Sequence, residues 1–357
     1  MEERQKGQPQ ATAELVGERV KHKFIDPTVH SCTPKEIQSY MRTEVGVNIS
    51  YRKAWRAKEC AIQSLYGTDD ESYASLAKYK YMLEQKNPGS LIDLKTDRHK
   101  YFMYFFVSLA PFREGWKYCR PVVIVDATFL TNYHKGSMFT ASAMDANEQI
   151  FPLAYGIGES ETSKSWFYFF NKLKEALGER DNMVIVSDRN TGIINAAKKV
   201  FPRAEHGFCA YHVKNNVKAK FKKLGKEFNW KFYGAAKAYT IFEYQKFMRM
   251  LDKEDPLIRP YLVNEVGNEK WARCFFKTSR YTIITSNNAE SLNALTVKAR
   301  SFPIVKCLDW LRERMQVWFY QRREKAASTQ SVLSMEYHTE MLKKLAVSAN
   351  MQVIVCF

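Results

Sequence analysis

The 357-residue sequence lacks several features that would assign it to familiar protein classes. Its seven cysteines are an odd number, lie far apart and include no Cys-x-x-Cys pair, which indicates a reduced, intracellular protein and not a disulfide framework. No apolar run approaches the roughly 18 residues of a membrane span, and the N-terminus has no apolar signal core. No GxGxxG or P-loop follows a predicted strand, which counts against a nucleotide cofactor. We therefore expect a soluble protein of the cytosol or nucleus.

What the sequence does contain is a large excess of positive charge. Lys and Arg total 55 against 38 Asp and Glu, which gives a formal net charge of +17 and a pI of about 9.4. The excess is concentrated between Lys198 and Met250, where 13 Lys or Arg stand against 3 Glu. Such a block is often only a solvated helix face. Beside an acidic site, however, it predicts a polyanionic partner whose phosphates approach that site.

Two short β-branched runs, each ending in one aspartate, organise the chain. The first lies within residues 121–130 and ends in Asp126, and the second lies within residues 182–192 and ends in Asp188. Runs of this kind are typical of strands buried on both faces. A carboxylate at the end of a buried strand is costly unless a cation meets it. A shared divalent ion bound through oxygen, such as Mg²⁺ or Mn²⁺, would meet that need, and plain turn capping is the alternative.

The predicted order of elements indicates the fold class. Three strands separated by turn residues begin with the Asp126 run, followed by an amphipathic helix over 163–177 and the Asp188 strand. A helix over 191–200 and a strand over 204–211 come next. This is the order of a ribonuclease-H-like α/β fold, in which the first and fourth strands are adjacent and parallel. The two aspartates are therefore expected at one edge of the sheet.

The flanking segments predict further units. Residues 1–30 are polar and are expected to form a disordered lead-in, and residues 31–98 a small helical domain. That domain is either a helix-turn-helix or an ordinary helical hairpin. The α/β domain is expected over residues 99–327, with a basic, aromatic helical insertion at about 213–279, and residues 328–357 form a tail.

Six separated motifs match, in order, those of one family. They are Val125-Asp126-Ala-Thr-Phe-Leu130, Gln149-Ile-Phe-Pro-Leu-Ala, the spacing Glu159-x-Glu161-x4-Trp166, Ser187-Asp188-Arg-x2-Gly192-Ile, Cys209-x2-His212 and Ser286-Asn-Asn-Ala-Glu290-Ser-x-Asn293. Over roughly residues 33–325 the sequence resembles the transposase domain of plant Mutator-like elements, the MuDR group. That group is related to the far-red-response transcription factors, which were domesticated from such elements.

The resemblance implies a DDE transposase with a ribonuclease-H-like core interrupted by the helical insertion. Its catalytic and metal-binding triad falls on Asp126, Asp188 and Glu290, which would hold two Mg²⁺ or Mn²⁺ ions. Such an enzyme hydrolyses a phosphodiester at each element end and joins the freed 3′-hydroxyl to target DNA. The implied location is the nucleus, and the implied partners are terminal-repeat DNA, target DNA and further copies of the chain on DNA. No membrane is implied.

The resemblance also places Cys209, His212, Arg189 and Asn287 beside the triad. Two ligands cannot close a tetrahedral zinc site and no partner pair lies nearby in the sequence, so no zinc is expected. Either Cys209 is a packed thiol and His212 a hydrogen-bonded imidazole, or His212 acts beside the scissile phosphate. The sequence leaves this choice open.

Six lysines within thirteen residues are the candidate DNA contacts: Lys214, Lys218, Lys220, Lys222, Lys223 and Lys226. On a single helix, Phe221, Leu224 and Phe228 would form an apolar stripe that docks the helix and leaves the lysines outward. Because lysine has no planar fork, these side chains are expected to grip backbone phosphates and not to read bases.

The sequence departs from the family pattern at both ends. Many members begin with a zinc-binding recognition domain that ends in His-x-Cys, of which only His30-Ser-Cys32 is present. The zinc-knuckle-like module that often follows the core is absent, so residues 328–357 are expected to be a truncated tail. A domesticated or degenerate, non-catalytic DNA-binding regulator on the same fold is therefore the alternative function. A nuclease without strand transfer is a third.

Overall fold

A sheet of seven strands runs through the part of the chain that a computed structural model describes, namely residues 10–25, 32–281, 283–284, 291–292, 294–349 and 351. The strands lie in the order β1-β2-β5-β4-β3-β6-β7. Their bounds are β1 Leu91–Thr96, β2 Phe102–Ser108, β3 Val122–Phe129, β4 Ser137–Met144, β5 Ile150–Gly158, β6 Val184–Ser187 and β7 Glu205–Phe208.

The sheet is mixed, with antiparallel pairing in one half and parallel pairing in the other. Strands β1 and β2, β2 and β5, and β4 and β5 pair antiparallel. Strands β3 and β6, and β6 and β7, pair parallel. The prediction that the first and fourth strands of the core are adjacent and parallel is confirmed, because β3 carries Asp126 and β6 ends directly before Asp188.

The first half of β3, Val122–Val125, is buried on both faces, as its continuous apolar run predicts, and the strand continues past Asp126 to Phe129. On one face Val123 and Val125 pack in a cluster with Trp166, and on the other face Val122 and Ile124 belong to a separate cluster. All four strand residues are fully buried. Three helices connect strands of the sheet along the chain: α6 Ala110–Trp116 follows β2, α7 Ser163–Leu177 follows β5 and α8 Thr191–Val200 follows β6. The predicted bounds of α7 and α8 are confirmed.

Helices fill the region of the predicted insertion and build an apolar core of their own. They are α9 Ala210–Lys220, α10 Phe228–Lys237, α11 Ile241–Asp252, α12 Ile258–Pro260, a π-helix Tyr261–Val266, α13 Asn268–Trp271 and a 3₁₀ helix Arg273–Phe275. Phe232, Tyr244 and Trp271 are buried together in this core. It lies outside the clusters that pack against β3, so these helices have their own source of stability.

The chain divides into two compact units. The smaller comprises Met1–Tyr81, Phe129–Lys135 and Leu295–Met315, and the larger comprises the remaining residues, including most of the sheet and the insertion. The remaining helices are α1 Ala13–Val20, a 3₁₀ helix Lys21–Phe24, α2 Pro34–Thr43, α3 Tyr51–Tyr66, α4 Asp69–Ala74, α5 Leu76–Lys86, a 3₁₀ helix Ala299–Ser301, α14 Ile304–Ala327 and α15 Met335–Ser348. No helix among the described residues has the length and apolar character needed to cross a membrane.

The expectation of a disordered lead-in over residues 1–30 is wrong for residues 13–24. Helix α1 and the short helix after it bury Val16, Val20 and Phe24. These apolar residues recur every four positions, so a single face of a helix carries them all into the smaller unit. The other residues of the segment are mostly polar, so its composition alone did not indicate a buried helix.

The expectation of a wholly helical region over residues 31–98 is wrong at its C-terminal end. Strand β1 lies there and pairs with β2, with Ile92 opposite Val107. The segment from Leu91 to Thr96 becomes a strand because β2 offers it an edge. Strand formation of this kind depends on a neighbour that the local sequence does not specify.

Candidate functional site

Two aspartates lie next to each other where β3 and β6 run in parallel. Ile124 is paired with Val186 in the register of these strands, and two residues further along each chain lie Asp126 and Asp188. Neighbouring strands are about 4.8 Å apart, and residues in register project to the same side. The pairing of β3 with β6 therefore places both carboxylates at one edge of the sheet.

Burial dominates the electrostatics of Asp126. Removal from water raises its pKa to about 6, and the negative charges of Asp188 and Glu161 act in the same direction. His212 and the backbone N–H of Ala127, which donates to Oδ1 over 3.0 Å, act against this rise. A carboxylate in this state gains from a nearby cation, which is the property expected of a metal ligand.

A hydrogen-bond network fixes Asp188 from the side of α8. Its Oδ1 accepts the backbone N–H of Asn190 over 3.0 Å. The side-chain Oδ1 of Asn190 caps α8 by accepting the backbone N–H of Gly192 over 2.7 Å. The position of Asp188 is thus tied to the start of a helix whose other residues pack into the core.

Glu161 is a third carboxylate of this site, and the sequence had indicated it only as part of a motif spacing. Its Oε1 accepts hydrogen bonds from Trp166 Nε1 over 3.1 Å and from Asn190 Nδ2 over 2.9 Å. Burial raises the pKa of Glu161, the Trp166 hydrogen bond lowers it, and the charge of Asp188 raises it again. Glu161 therefore supports Asp188 through Asn190. The spacing to Trp166 could identify the hydrogen-bonding partner but not the link to Asn190.

Cys209 and His212 lie at the start of α9, next to the aspartates. The backbone N–H of Cys209 donates to the carbonyl of Ser187 over 2.7 Å, and the thiol is fully buried. The neighbouring Cys209 side chain and the two aspartate charges raise the pKa of His212 to about 9, although burial opposes the rise. His212 is therefore a cation at neutral pH. Its Nδ1 is buried and finds no hydrogen-bond partner among the described residues.

Arg189 follows Asp188 in the chain and donates hydrogen bonds to the π-helix Tyr261–Val266. Its Nη1 donates to the Tyr261 hydroxyl over 2.9 Å, and its Nη2 donates to the carbonyl of Glu265 over 3.1 Å. The predicted site residues Glu290 and Asn287 lie outside the described residues. Within the described ranges, no group of three or more His, Cys, Asp or Glu side chains could hold a metal ion. The two aspartates supply the oxygen donors that Mg²⁺ and Mn²⁺ prefer, so the donor chemistry fits these ions as far as the pair goes.

The structure corrects the expected arrangement of the lysines. Helix α9 ends at Lys220, because Phe221 is extended, so no single helix continues to Phe228. Lys214 is buried, with its Nζ 4.3 Å from the centre of the Tyr211 ring. Buried among aromatic side chains, it is not an outward DNA contact.

The remaining lysines lie outward, as expected, but not all are free. Lys220 forms an ion pair with Glu265. The exposed lysines of the group that have no ion pair in the described structure are Lys218, Lys222, Lys223 and Lys226. Three of these four follow the end of α9, in the segment that leads to α10.

The segment that contains this site matches a known protein family. A family model described as the MULE transposase domain matches residues 122–216, which run from the first residue of β3 into α9. The match supports a Mutator-like, transposase-type protein with a transposase-related function.

One curated protein is also similar to part of the chain, namely the PKS-NRPS hybrid synthetase cheA of Chaetomium globosum. The two are 25% identical over 112 residues, which is 29% of this chain and 2% of that protein. The chain spans only 2% of the synthetase, so the activity in the synthetase's name is not assigned to this chain.

Replacement of Glu161 tests whether it acts as a hydrogen-bond acceptor. Glu161→Leu leaves the Trp166 Nε1 and Asn190 Nδ2 donors without their acceptor, and each unsatisfied donor costs about 1–3 kcal/mol. Glu161→Gln keeps an acceptor oxygen and should cost much less. Urea unfolding at neutral pH measures the difference, with the exposed neighbour substitution Glu159→Leu as the control. Equal destabilisation by Glu161→Leu and Glu161→Gln would contradict this role.

The raised pKa of His212 predicts a pH-dependent contribution to stability. The pKa is 6.5 in the unfolded chain and about 9 in the folded protein, so the contribution is fully present below pH 6.5 and is lost as the pH rises through about 9. His212→Gln should therefore lower the free energy of unfolding more at pH 6 than at pH 9.5. The exposed His99→Gln serves as the control. A pH-independent effect of His212→Gln would show that its charge is not stabilised in the fold.

Proposed function

We propose that the protein is a DDE transposase of the Mutator-like type. The observation that carries this proposal is the parallel pairing of β3 with β6, which brings Asp126 and Asp188 to one edge within the segment that matches the MULE transposase domain. The raised pKa of Asp126 supports a role as a ligand that a cation stabilises. The proposed core is ribonuclease-H-like, with α9 to α13 as its helical insertion.

Glu290 is the proposed third acid, supplied from outside the described residues. Together Asp126, Asp188 and Glu290 would hold two Mg²⁺ or Mn²⁺ ions, and no zinc site is proposed. Ions bound there would activate the attacking oxygen and stabilise the charge that develops on the leaving oxygen. The protein's own residues position these groups: Asn190 and Glu161 hold Asp188 in place, and His212 presents a positive charge beside the acids.

The proposed reaction has two phosphoryl transfers. In the first, the oxygen of a water molecule bonds to the phosphorus at an element end, and the bond from phosphorus to the 3′ oxygen breaks, which leaves a 3′-hydroxyl and a 5′-phosphate. In the second, that 3′-hydroxyl attacks a phosphodiester of target DNA and displaces its 3′ oxygen. The nucleus is the proposed location, and the protein would act as a homo-oligomer on element-end and target DNA. The excess of positive charge supports such a partner.

The reaction itself provides the first test. We expect the protein to cut duplexes that carry the element's terminal repeats in the presence of Mg²⁺ or Mn²⁺, with 3′-hydroxyl products. Asp126→Asn and Asp188→Asn should each lower the rate by about two orders of magnitude or more, because each removes a charged ligand from the reacting centre. Gel analysis of labelled ends measures the rate.

The matched control is Asp181→Asn, since Asp181 is an exposed aspartate in the turn before β6. Mn²⁺ should also raise the thermal midpoint of the wild type but not that of the Asp126→Asn/Asp188→Asn double variant. A protein that binds terminal repeats but shows neither cleavage nor a Mn²⁺-dependent midpoint would be a non-catalytic DNA-binding protein.

The four exposed lysines provide a test of the DNA path. Replacing Lys218, Lys222, Lys223 and Lys226 with Gln should weaken binding to all duplexes to a similar degree, because phosphate contacts carry no sequence information. The slope of log K against log salt concentration should flatten by about 0.9 for each phosphate group that the variant no longer neutralises. Fluorescence anisotropy at several salt concentrations measures both quantities.

A variant with the same change in net charge serves as the control for this test. Lys95, Lys100, Lys325 and Lys343 are exposed lysines elsewhere in the larger unit, and their replacement with Gln should leave the slope almost unchanged. If both quadruple variants change the slope equally, the effect is one of net charge, and the DNA path does not follow the segment after α9.

A further inference from the structure

A basic, aromatic cleft lies in the larger unit and shares no residue with the aspartate site. Its volume is about 490 Å³, and it is lined by Arg120, Tyr239, Arg273 and the segment 276–281. A cleft of this size can hold a small ligand or one unit of a polymer. None of the residues that line the cleft belongs to the aspartate site or to the four exposed lysines described above.

Arg280 is a buried cation of this cleft with incomplete hydrogen bonding. Its side chain is 1% exposed, and burial lowers its pKa to about 10. Its two Nη atoms donate to four backbone carbonyls over 3.2–3.5 Å, those of Phe208, Lys270, Trp271 and Ile284. Its Nε finds no partner, and it forms no ion pair, in the part of the chain that the structure describes.

Arg273 has the same deficit. Its Nη2 donates to the carbonyl of Lys237, and its Nη1 makes a 3.5 Å contact with the carbonyl of Tyr281. Its Nε is buried and has no partner among the described residues. Buried donors are almost always satisfied in folded proteins, and leaving one unsatisfied is costly. Arg273 and Arg280 both line the cleft and neither has an ion pair among the described residues, so their positive charge is left uncompensated beside it.

The charge of the cleft indicates that its ligand is an anion. Lys277 adds an exposed ammonium group to the guanidinium groups. The nearby carboxylate of Glu205 is already engaged by the backbone N–H groups of Lys277 and Thr278. A purely structural role as a carbonyl clamp would explain the Nη contacts of Arg280. It would not explain the unsatisfied Nε atoms or the excess of cations.

The aromatic residues narrow the class of anion. Tyr239 is 74% exposed and Tyr281 is 41% exposed, so each offers ring surface to a ligand. Arg273 lies 4.0 Å from the centre of the Tyr239 ring, which places a phosphate-binding group next to a stacking surface. Nucleic acid bases stack on such rings whatever their identity. A volume of about 490 Å³ can hold one unpaired nucleotide but not a stretch of duplex.

We propose that this cleft binds an unpaired nucleotide of a DNA strand, with its phosphate on Arg273 and Lys277 and its base on Tyr239 or Tyr281. The buried charge of Arg280 adds to the positive potential of the cleft. The proposal rests on the proposed function in so far as DNA is the partner. It adds to that function a site for a single-stranded segment, separate from the aspartate edge.

Binding of a labelled thymidine oligonucleotide tests the proposal. In EDTA, where metal-dependent cleavage cannot occur, the Lys277→Gln/Tyr239→Ala variant should bind the single strand about tenfold more weakly than the wild type. Its affinity for a blunt duplex should be almost unchanged. Fluorescence anisotropy measures both affinities. The control variant Lys246→Gln/Tyr101→Ala changes an exposed lysine and a tyrosine that is 72% exposed, both outside the cleft.

Photocrosslinking locates the bound strand. An oligonucleotide that contains 5-iododeoxyuridine should crosslink to the peptides that carry Tyr239 or Tyr281, and excess thymidine monophosphate should compete only weakly. Equal weakening of single-strand and duplex binding, or crosslinks only to other segments, would overturn the proposal. So would competition by the free nucleotide at the affinity of the strand. Because no metal is present, absence of cleavage and absence of strand binding are separate results.

Discussion

The pairing of β3 with β6 is the constraint on which the proposed site depends. It buries the apolar runs before Asp126 and Asp188 on both faces and leaves their carboxylates side by side at the end of those runs. The desolvation that makes this arrangement costly also raises the pKa of Asp126 to about 6. The apolar core thus provides the stability that holds an electrostatically unfavourable pair in place. Because the two carboxylates are close together and one of them is buried, the site favours a positive charge nearby.

The side chain of His212 supplies part of this positive charge. His212 reaches the acids because α9 begins directly after β7, whose parallel pairing with β6 brings Cys209 next to Ser187. Glu161 adds a further negative charge, yet its hydrogen bonds to Trp166 and Asn190 fix the geometry around Asp188. His212 therefore offsets the negative charge of the aspartates, whereas the hydrogen bonds of Glu161 fix the position of Asn190 and, through it, of Asp188. This division of roles is common in sites that hold metal ions.

The excess positive charge of the chain is used in different ways. Some cationic side chains make contacts within the fold: Lys214 lies over the Tyr211 ring, and Lys220 forms an ion pair with Glu265. Others remain exposed after the end of α9, where they can contact the backbone of a duplex. The cleft around Arg280 is a third environment, because the Nε atoms of Arg273 and Arg280 are buried and have no hydrogen-bond partner among the described residues. Net charge alone indicates an anionic partner, and only burial and pairing distinguish these environments.

The sequence by itself determined the apolar runs that lead to Asp126 and Asp188, the bounds of α7 and α8, and the helical character of the region after β7. It did not show that β3 continues past Asp126 to Phe129. Local periodicity and capping residues specify such elements, since each signal lies within a few neighbouring residues. The tertiary structure alone decided that residues 91–96 join the sheet, that Lys214 is buried, and that Glu161 and Asn190 support Asp188. These outcomes depend on contacts between residues far apart in the chain. Their energies come from burial and from hydrogen-bond partners that no local pattern encodes.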